Sequence, residues 1–316
     1  MPRLVDGKRF RASNDYESSH HQSSGMSKWQ HKQTKELNSL FSNPQSAMIE
    51  IVPYNDDVTC IKTATEQDGQ AIMFVYSFLI RDTLFDAGCG NAVREFEEFA
   101  SKNEINQVYI SHSHEDHVGC LHIFGGKTKI YANEMTQKNL REPQQIGEFF
   151  DFVWGQPKPI LGINTMSDTF SIGDLSFEVI PLPGHAADLI GFYEPGKRWF
   201  FSFDAVPLPS KKKIAMPEEN IPLMVVTMEK IRDMDIEILF DSHKGPIENP
   251  REYIQTRIDY INMIQKEATA LHESGKSIDE IQVALDLEGP WYLEMTKDRF
   301  GIDFFLKSLL FDKAEQ

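Results

Sequence analysis

In the run Ser111-His112-Ser113-His114-Glu115-Asp116-His117, three histidines and an aspartate fall within six residues. The four residues before it, 107–110, are apolar enough to read as a short strand, so the run begins in extended backbone. Residues two apart in extended backbone face the same side, so His112 and His114 can offer imidazoles to one cation. Asp116 and His117 fall where the chain turns into a helix and point elsewhere. One short loop thereby offers ligands to two neighbouring cations. Neutral imidazole with carboxylate suits zinc, and also iron or manganese.

Further ligands are expected from later strand ends. Pro183-Gly184-His185 follows an apolar strand, and its glycine permits a sharp turn. Asp204 ends the apolar run 199–203, and Ser242-His243 follows the run 236–240. Each residue alone reads equally well as a turn residue. Together with the upstream cluster they read as a ligand set.

The elements that would position these residues follow from periodicity. Strands are expected at about 48–53, 58–63, 71–79, 83–86, 107–110, 129–132, 175–182, 189–193, 199–203 and 236–240. Helices are expected at about 92–99, 133–140 and 223–234. After Pro250 the pattern becomes helical, with a capping box at Ser277 and Glu280 and a last helix at 303–311. His122 and Cys120 read as structural residues of a helix after the motif. Strands mixed with helices and followed by helices alone indicate an α/β (α+β) core with a C-terminal helical appendage. Residues 1–47 are poor in aliphatics and read as disordered or weakly ordered, with His20 and His21 as solvated tail residues. The catalytic region would span 48–248 and the helical region 249–316.

The order H-x-H-x-D-H, P-G-H, strand-end Asp and strand-end His resembles the metallo-β-lactamase superfamily over about residues 48–248. The turn Asp86-Ala87-Gly88 is similar to one that supports the metal loop in that family. The resemblance implies a four-layered αβ/βα sandwich with two divalent cations at the open edge of its sheets. One cation would be held by His112, His114 and His185, and the other by Asp116, His117 and His243, with Asp204 bridging both. Zinc is the expected metal, with iron or manganese as alternatives. A hydroxide shared by two cations, formed because they lower the pKa of water toward about 7, would attack a carbonyl carbon or a phosphorus. Asp116 would orient it and take its proton, which makes Asp116 the catalytic candidate.

A bridging Asp204 resembles the glyoxalase II and ribonuclease Z branches, and His114 stands where flavodiiron proteins have Glu. The C-terminal helices resemble the substrate-holding appendage of glyoxalase II and the tail of the lactamase-β-2-like ribonucleases. Three departures from the family pattern are visible: Phe203 where Gly often precedes the bridging Asp, Ala186-Ala187-Asp188-Leu189 after His185, and Lys244 between His243 and Gly245. The leading expectation is a hydrolase of a small carbonyl substrate, a thioester, ester or lactone. The alternatives are a metal-dependent phosphodiesterase or ribonuclease, iron-dependent oxygen or sulfur chemistry, and a binding protein that has lost catalysis.

Bulk properties narrow the partners. A formal net charge of −16 over 316 residues repels polyanions at long range, which disfavours nucleic acid and anionic membranes. Cys60, Cys89 and Cys120 form no disulfide framework or C-x-x-C pair, as suits the cytoplasm. A transmembrane run and a secretory leader are not expected. The expected partner is a small-molecule substrate, and a homodimer is compatible with this reading. The aromatic loop at 148–154 could wall an apolar part of the substrate or pin itself down. The run Lys211-Lys212-Lys213 could attract an anion or be solvated, and Tyr253 with Arg257 could face the cleft or the surface.

Overall fold

The computed structural model describes residues 46–126, 128–208, 213–296 and 299–314. The reading of 1–47 as weakly ordered, with His20 and His21, lies outside the described residues except at positions 46 and 47. Lys211 and Lys212 also lie outside them.

The first sheet runs in chain order through β1 (Ser46–Pro53), β2 (Val58–Gln67), β3 (Gln70–Ile80), β4 (Thr83–Phe85), β5 (Gln107–Tyr109), β6 (Lys129–Ala132) and β7 (Asn164–Thr165). Its first four strands form an antiparallel meander. From β4 onward the pairing is parallel, so each connection must cross over, and helices supply the length. These helices are α1 (Val93–Lys102), α2 (Glu115–Val118), α3 (Glu134–Arg141) and α4 (Glu148–Trp154).

The second sheet contains β8 (Thr169–Ile172), β9 (Leu175–Pro181), β10 (Ile190–Glu194), β11 (Trp199–Phe203), β12 (Ile238–Asp241) and β13 (Gly245–Glu248), in the order β13-β12-β11-β10-β9-β8. Its one parallel pair among the described strands, β11 with β12, is bridged by α5 (Ile221–Asp233). The chain ends in α6 (Pro250–Glu273), α7 (Ile278–Ala284) and α8 (Ile302–Phe311), which pack on one another, α6 and α8 also packing on α5.

Alternation decides which side chains meet. Phe78, Phe85 and Tyr109 point from the first sheet toward Phe177, Phe192, Phe201 and Phe240 of the second. The Phe85 ring meets Phe201 edge-on at 5.0 Å, and Phe201 stacks on Phe240 at 4.3 Å. Each such ring contributes about 1.5–3 kcal/mol by burial. Their neighbours Ile61, Leu79, Leu84 and Val108 point the other way, under Phe96 and Phe99 of α1. The C-terminal helices join the core of the second sheet through Ile254, Ile258, Phe305 and Leu309. The result is the four-layered αβ/βα sandwich, its described residues packed as one unit.

Three local expectations change. The aromatic segment Glu148–Trp154 is a helix, with its rings packed inward. The helix after the histidine motif is a single turn, Glu115–Val118, so Cys120 lies beyond it and His122 sits in a separate 3-10 turn, Leu121–Ile123. The strands β7, β8 and β13 had no clear apolar signal: β7 is two exposed polar residues held by backbone pairing with β6 and by two side-chain bonds, Asn164 Nδ2 donating to the Ile130 carbonyl and Gln137 Nε2 donating to Thr165 Oγ1.

Candidate metal centre

The four candidate segments leave their strands at one edge of the sandwich. The motif loop follows β5, His185 follows β9, Asp204 follows β11 and His243 follows β12. Their donor atoms converge in two groups: His112, His114, His185 and Asp204, then Asp116, His117, His243 and again Asp204. All seven sequence candidates are therefore brought together, with Asp204 common to both groups.

The spacing can be tested against metal geometry. A tetrahedral cation with metal–ligand distances near 2.0–2.1 Å separates its ligand atoms by roughly 3.3 Å. His117 Nε2 lies 3.3 Å from Asp204 Oδ1, and His185 Nε2 and His243 Nε2 each lie 3.4 Å from Asp204 Oδ2. His243 Nε2 is 3.5 Å from Asp116 Oδ2, and His114 Nδ1 is 3.0 Å from His185 Nε2. His112 Nε2, His117 Nε2, His243 Nε2 and Asp204 Oδ1 are buried without a hydrogen bond of ordinary geometry. Burying polar atoms without partners is costly, and a pair of divalent cations would satisfy all four. The residues present fit such a pair.

The outward ring nitrogens are already engaged. His117 Nδ1 donates to Asp86 Oδ2 at 2.7 Å, and His243 Nδ1 donates to the Phe74 carbonyl at 2.9 Å. His185 Nδ1 donates to Glu219 Oε1 at 2.7 Å. Ser111 Oγ, which donates to Asp86 Oδ2, accepts from His112 Nδ1 at 3.0 Å. Each bond fixes a tautomer whose Nε2 lone pair faces the cluster. Burial and the neighbouring His117 and His114 hold His112 well below the usual imidazole range, and burial and His185 do the same for His114. Both are neutral, as ligands must be. Burial opposes charge on His117, but Asp204, Asp116 and Asp86 outweigh it and hold that ring well above its usual range. Burial likewise opposes charge on Asp204, yet His243 and His117 keep it well below the carboxylate range.

Backbone geometry explains the supporting turns. Gly184 has φ +127°, and a Cβ there would meet the Met224 backbone at 2.5 Å, so only glycine lets the His185 turn lie against α5. Phe203 takes φ +50° at a bulge in β11. The ordinary cost of that conformation for a side chain is of order 1–3 kcal/mol, which accounts for glycine at this place in the resembling family. Here the fully buried Phe203 ring packs on Phe192, with centroids 5.4 Å apart, and offsets the strain.

Several supporting residues were not legible beforehand. Asp188 accepts from Ser113 N and Thr136 Oγ1, tying the His185 segment to the motif loop. Asp241 Oδ1 accepts from His243 N and Lys244 N, shaping the turn that carries His243. Glu219 has no sequence signal at all: its other oxygen accepts from Met216 N, and its carbonyl accepts from Ser308 Oγ of α8. The C-terminal helices thus brace the partner of His185. Removing such a partner typically costs 10–100-fold in metal affinity. Glu219→Gln is expected to weaken divalent-metal binding by about that factor with the fold intact, measured by competition with a chromogenic chelator; unchanged affinity would remove Glu219 from the centre.

Tyr253 and Arg257 do not line the cavities at the centre. Arg257 is buried with its guanidinium 4.0 Å from the Tyr253 ring, and burial with Asp241 pushes the Tyr253 hydroxyl up to about 12. Among the aromatic residues of α4, Phe150 lines the cleft at the centre and Trp154 its mouth. Phe149 and Phe152 are buried, and Phe149 stacks on Tyr292.

Residues 72–243 match the family model described as the metallo-beta-lactamase superfamily. The chain belongs to the metallo-β-lactamase superfamily. It is a metal-dependent hydrolase by family, and its His and Asp clusters suit a metal site. Solved structures agree on the fold. A metallo-beta-lactamase from Pontibacter korlensis is 15% identical with a TM-score of 0.52, covering 67% of this chain and 99% of that one. A metallo-beta-lactamase family protein from Thermus thermophilus is 16% identical with a TM-score of 0.54, covering 83% of this chain and 90% of that one. A double mutant of the sec-alkyl sulfatase PisA1 is 14% identical with a TM-score of 0.53; the match covers 83% of this chain and 49% of that longer one. No curated protein matches the chain. Among the described residues no helix is long and apolar enough to cross a membrane.

Proposed function

We propose that this member of the superfamily is a dinuclear hydrolase of a small carbonyl substrate, a thioester, ester or lactone, with zinc as its metal. The observation that carries the reading is the pair of donor groups sharing Asp204 at metal-ligand spacing. Bound there, two divalent cations would supply a hydroxide nucleophile at neutral pH and a Lewis acid for the electrophilic oxygen. His112, His114 and His185 would hold one, Asp116, His117 and His243 the other, and Asp204 both.

The residues of the chain do the rest. Asp116 orients the nucleophile and takes its proton. The mouth is walled by Phe150, Trp154, Tyr292 and Phe300, which limit access of bulk water. Glu115 also lines the mouth, and burial with the adjacent Asp116 pushes its carboxyl up to about 7. A phosphodiester polymer fits less well, because the neighbouring cleft carries Glu115, Glu142, Asp188 and Glu218 beside Lys138 and Arg299. Among the described residues that mixture gives no basic track.

The test is hydrolysis of a glutathione thioester by zinc-loaded protein beside Asp116→Ala. Turnover that is lost in the variant is expected. Absence of turnover on thioester, ester and lactone alike, with both metals bound, would overturn the carbonyl-hydrolase reading.

A further inference from the structure

Behind the turn that presents His243 lie buried polar groups that the chemistry of the centre does not use. Phe240 of β12 faces the first sheet, where its ring meets Phe78 and Phe201. By alternation Leu239 and Asp241 face the other way, toward the helices. β13 carries the chain back until Glu248 pairs with Ile238, and Asn249 N donates to Glu237 O at that far end of β12. From there α6 runs toward the centre, where its Ile261 lines a cavity together with His243. The strand rises about 10 Å from Ile238 to Asp241, and the helix rises about as much from Pro250 to Arg257. Arg257 therefore comes level with Asp241, and Tyr253 lies one turn before it on the same face.

Asp241 Oδ2, the Tyr253 hydroxyl and Arg257 Nε are each buried without a hydrogen bond of ordinary geometry. The Arg257 guanidinium lies 4.0 Å over the Tyr253 ring. Burial first, and then the Asp241 carboxylate, push the Tyr253 hydroxyl up to about 12, so the three groups feel one another. Leaving such atoms unsatisfied is costly. Together they offer a donor, an acceptor and a hydroxyl that is both. The guanidinium repels a cation and the carboxylate repels an anion, whereas a single water matches the set. It accepts from Arg257 Nε, donates to Asp241 Oδ2 and shares a further bond with the Tyr253 hydroxyl. We infer that Tyr253 and Arg257 are positioning residues of the metal centre, which hold an internal water against Asp241 and so brace from α6 the turn that presents His243. The other Asp241 oxygen, Oδ1, accepts from His243 N at 2.8 Å and from Lys244 N at 2.7 Å. Tethering Oδ2 stops the carboxylate from rotating and holds both of those bonds. The inference rests on Asp116, His117 and His243 acting as one donor group, and not on which bond the enzyme hydrolyses.

The experiment measures zinc affinity by chelator competition in Tyr253→Phe, Arg257→Leu, the double variant and Arg257→Lys. Each of the first two is expected to weaken one of the two zinc equivalents by about 10-fold and to leave the other unchanged. The double variant is expected to lose no more than the weaker single one, because both residues act through the same water. Arg257→Lys, whose ammonium can donate to that water, is expected to recover most of the loss. Tyr253→Phe keeps its ring in place and carries the test alone if Arg257→Leu does not fold. Losses that fall equally on both equivalents, or that add in the double variant, mark a merely structural role and would overturn the inference. Amide hydrogen exchange in the metal-free protein separates the brace from the reading of the centre. The His243 and Lys244 amides are expected to exchange about 10-fold faster in Tyr253→Phe. Faster exchange with unchanged zinc affinity would keep the brace and take His243 out of the donor group. Unchanged exchange would sink the brace whatever the zinc affinity.

Discussion

Asp204→Ala is expected to abolish binding of both divalent cations as a pair and to lower turnover by about 10³-fold or more. Partners that merely orient a ligand cost 10–100-fold when removed, and Asp204 is the one residue common to both donor groups. Its two oxygens sit 3.3–3.4 Å from His117, His185 and His243, so its loss opens both sites at once. It also removes one of the carboxylates that face His117. Metal content per chain, measured by mass spectrometry on the purified variant, should fall from two to one or none. A variant that keeps two cations and full turnover would show that Asp204 does not bridge. Circular dichroism serves as the control, because the Asp204 side chain is only one of many groups at the sheet edge and the aromatic core is untouched.

Gly119→Ala should give the largest loss of stability from a single added methyl. A Cβ at Gly119 would lie 2.1 Å from Gly90 N, 2.6 Å from Gly90 Cα and 2.7 Å from Gly88 O, all backbone atoms that cannot rotate away. The contact exists because the loop after Asp86 lies directly on the loop after His117. Ala87 N donates to His117 O at 2.7 Å, Gly119 N to Gly88 O at 3.0 Å and Cys120 N to Ala87 O at 3.0 Å. Forcing these segments apart costs about 3 kcal/mol and moves Asp86 away from His117, so stability and metal affinity fall together. The thermal unfolding midpoint should drop by on the order of 10 °C. Gly125→Ala, where a Cβ meets nothing within 4 Å, is the matched control and should change stability by less than about 0.5 kcal/mol. Equal behaviour of the two variants would contradict this packing.

The seven residues that the structure brings together were legible as candidates because their signal is local. His112, His114, Asp116 and His117 lie within one loop, and His185, Asp204 and His243 each stand at or just beyond the end of an apolar run, where a strand must leave its sheet. Residue chemistry and strand periodicity together need no partner from elsewhere in the chain. The same holds for the α/β core and the C-terminal helices, whose apolar periods declare them. Short elements escaped where pairing and polar bonds to residues far along the chain make them, as in β7, and where aromatic residues mask a helical period, as in α4.

What tertiary structure alone decided are the contacts between residues far apart in the chain. Glu219 meets His185 across 34 positions, the Phe74 carbonyl meets His243 across 169, and Ser308 reaches Glu219 across 89. No local pattern encodes such pairs, since each partner is an ordinary residue until the sheets and helices pack. The small apolar cavity beside the donor groups is of the same kind: Val206, Met224, Ile261 and Phe305, which line it, come from four separate segments. The sequence by itself thus determined which residues are candidates to hold a metal, because ligand chemistry is a property of residue type and spacing. Only the packed chain decided how those rings are oriented and what space lies beside them, because orientation and empty volume belong to surfaces brought together from distant parts of the chain.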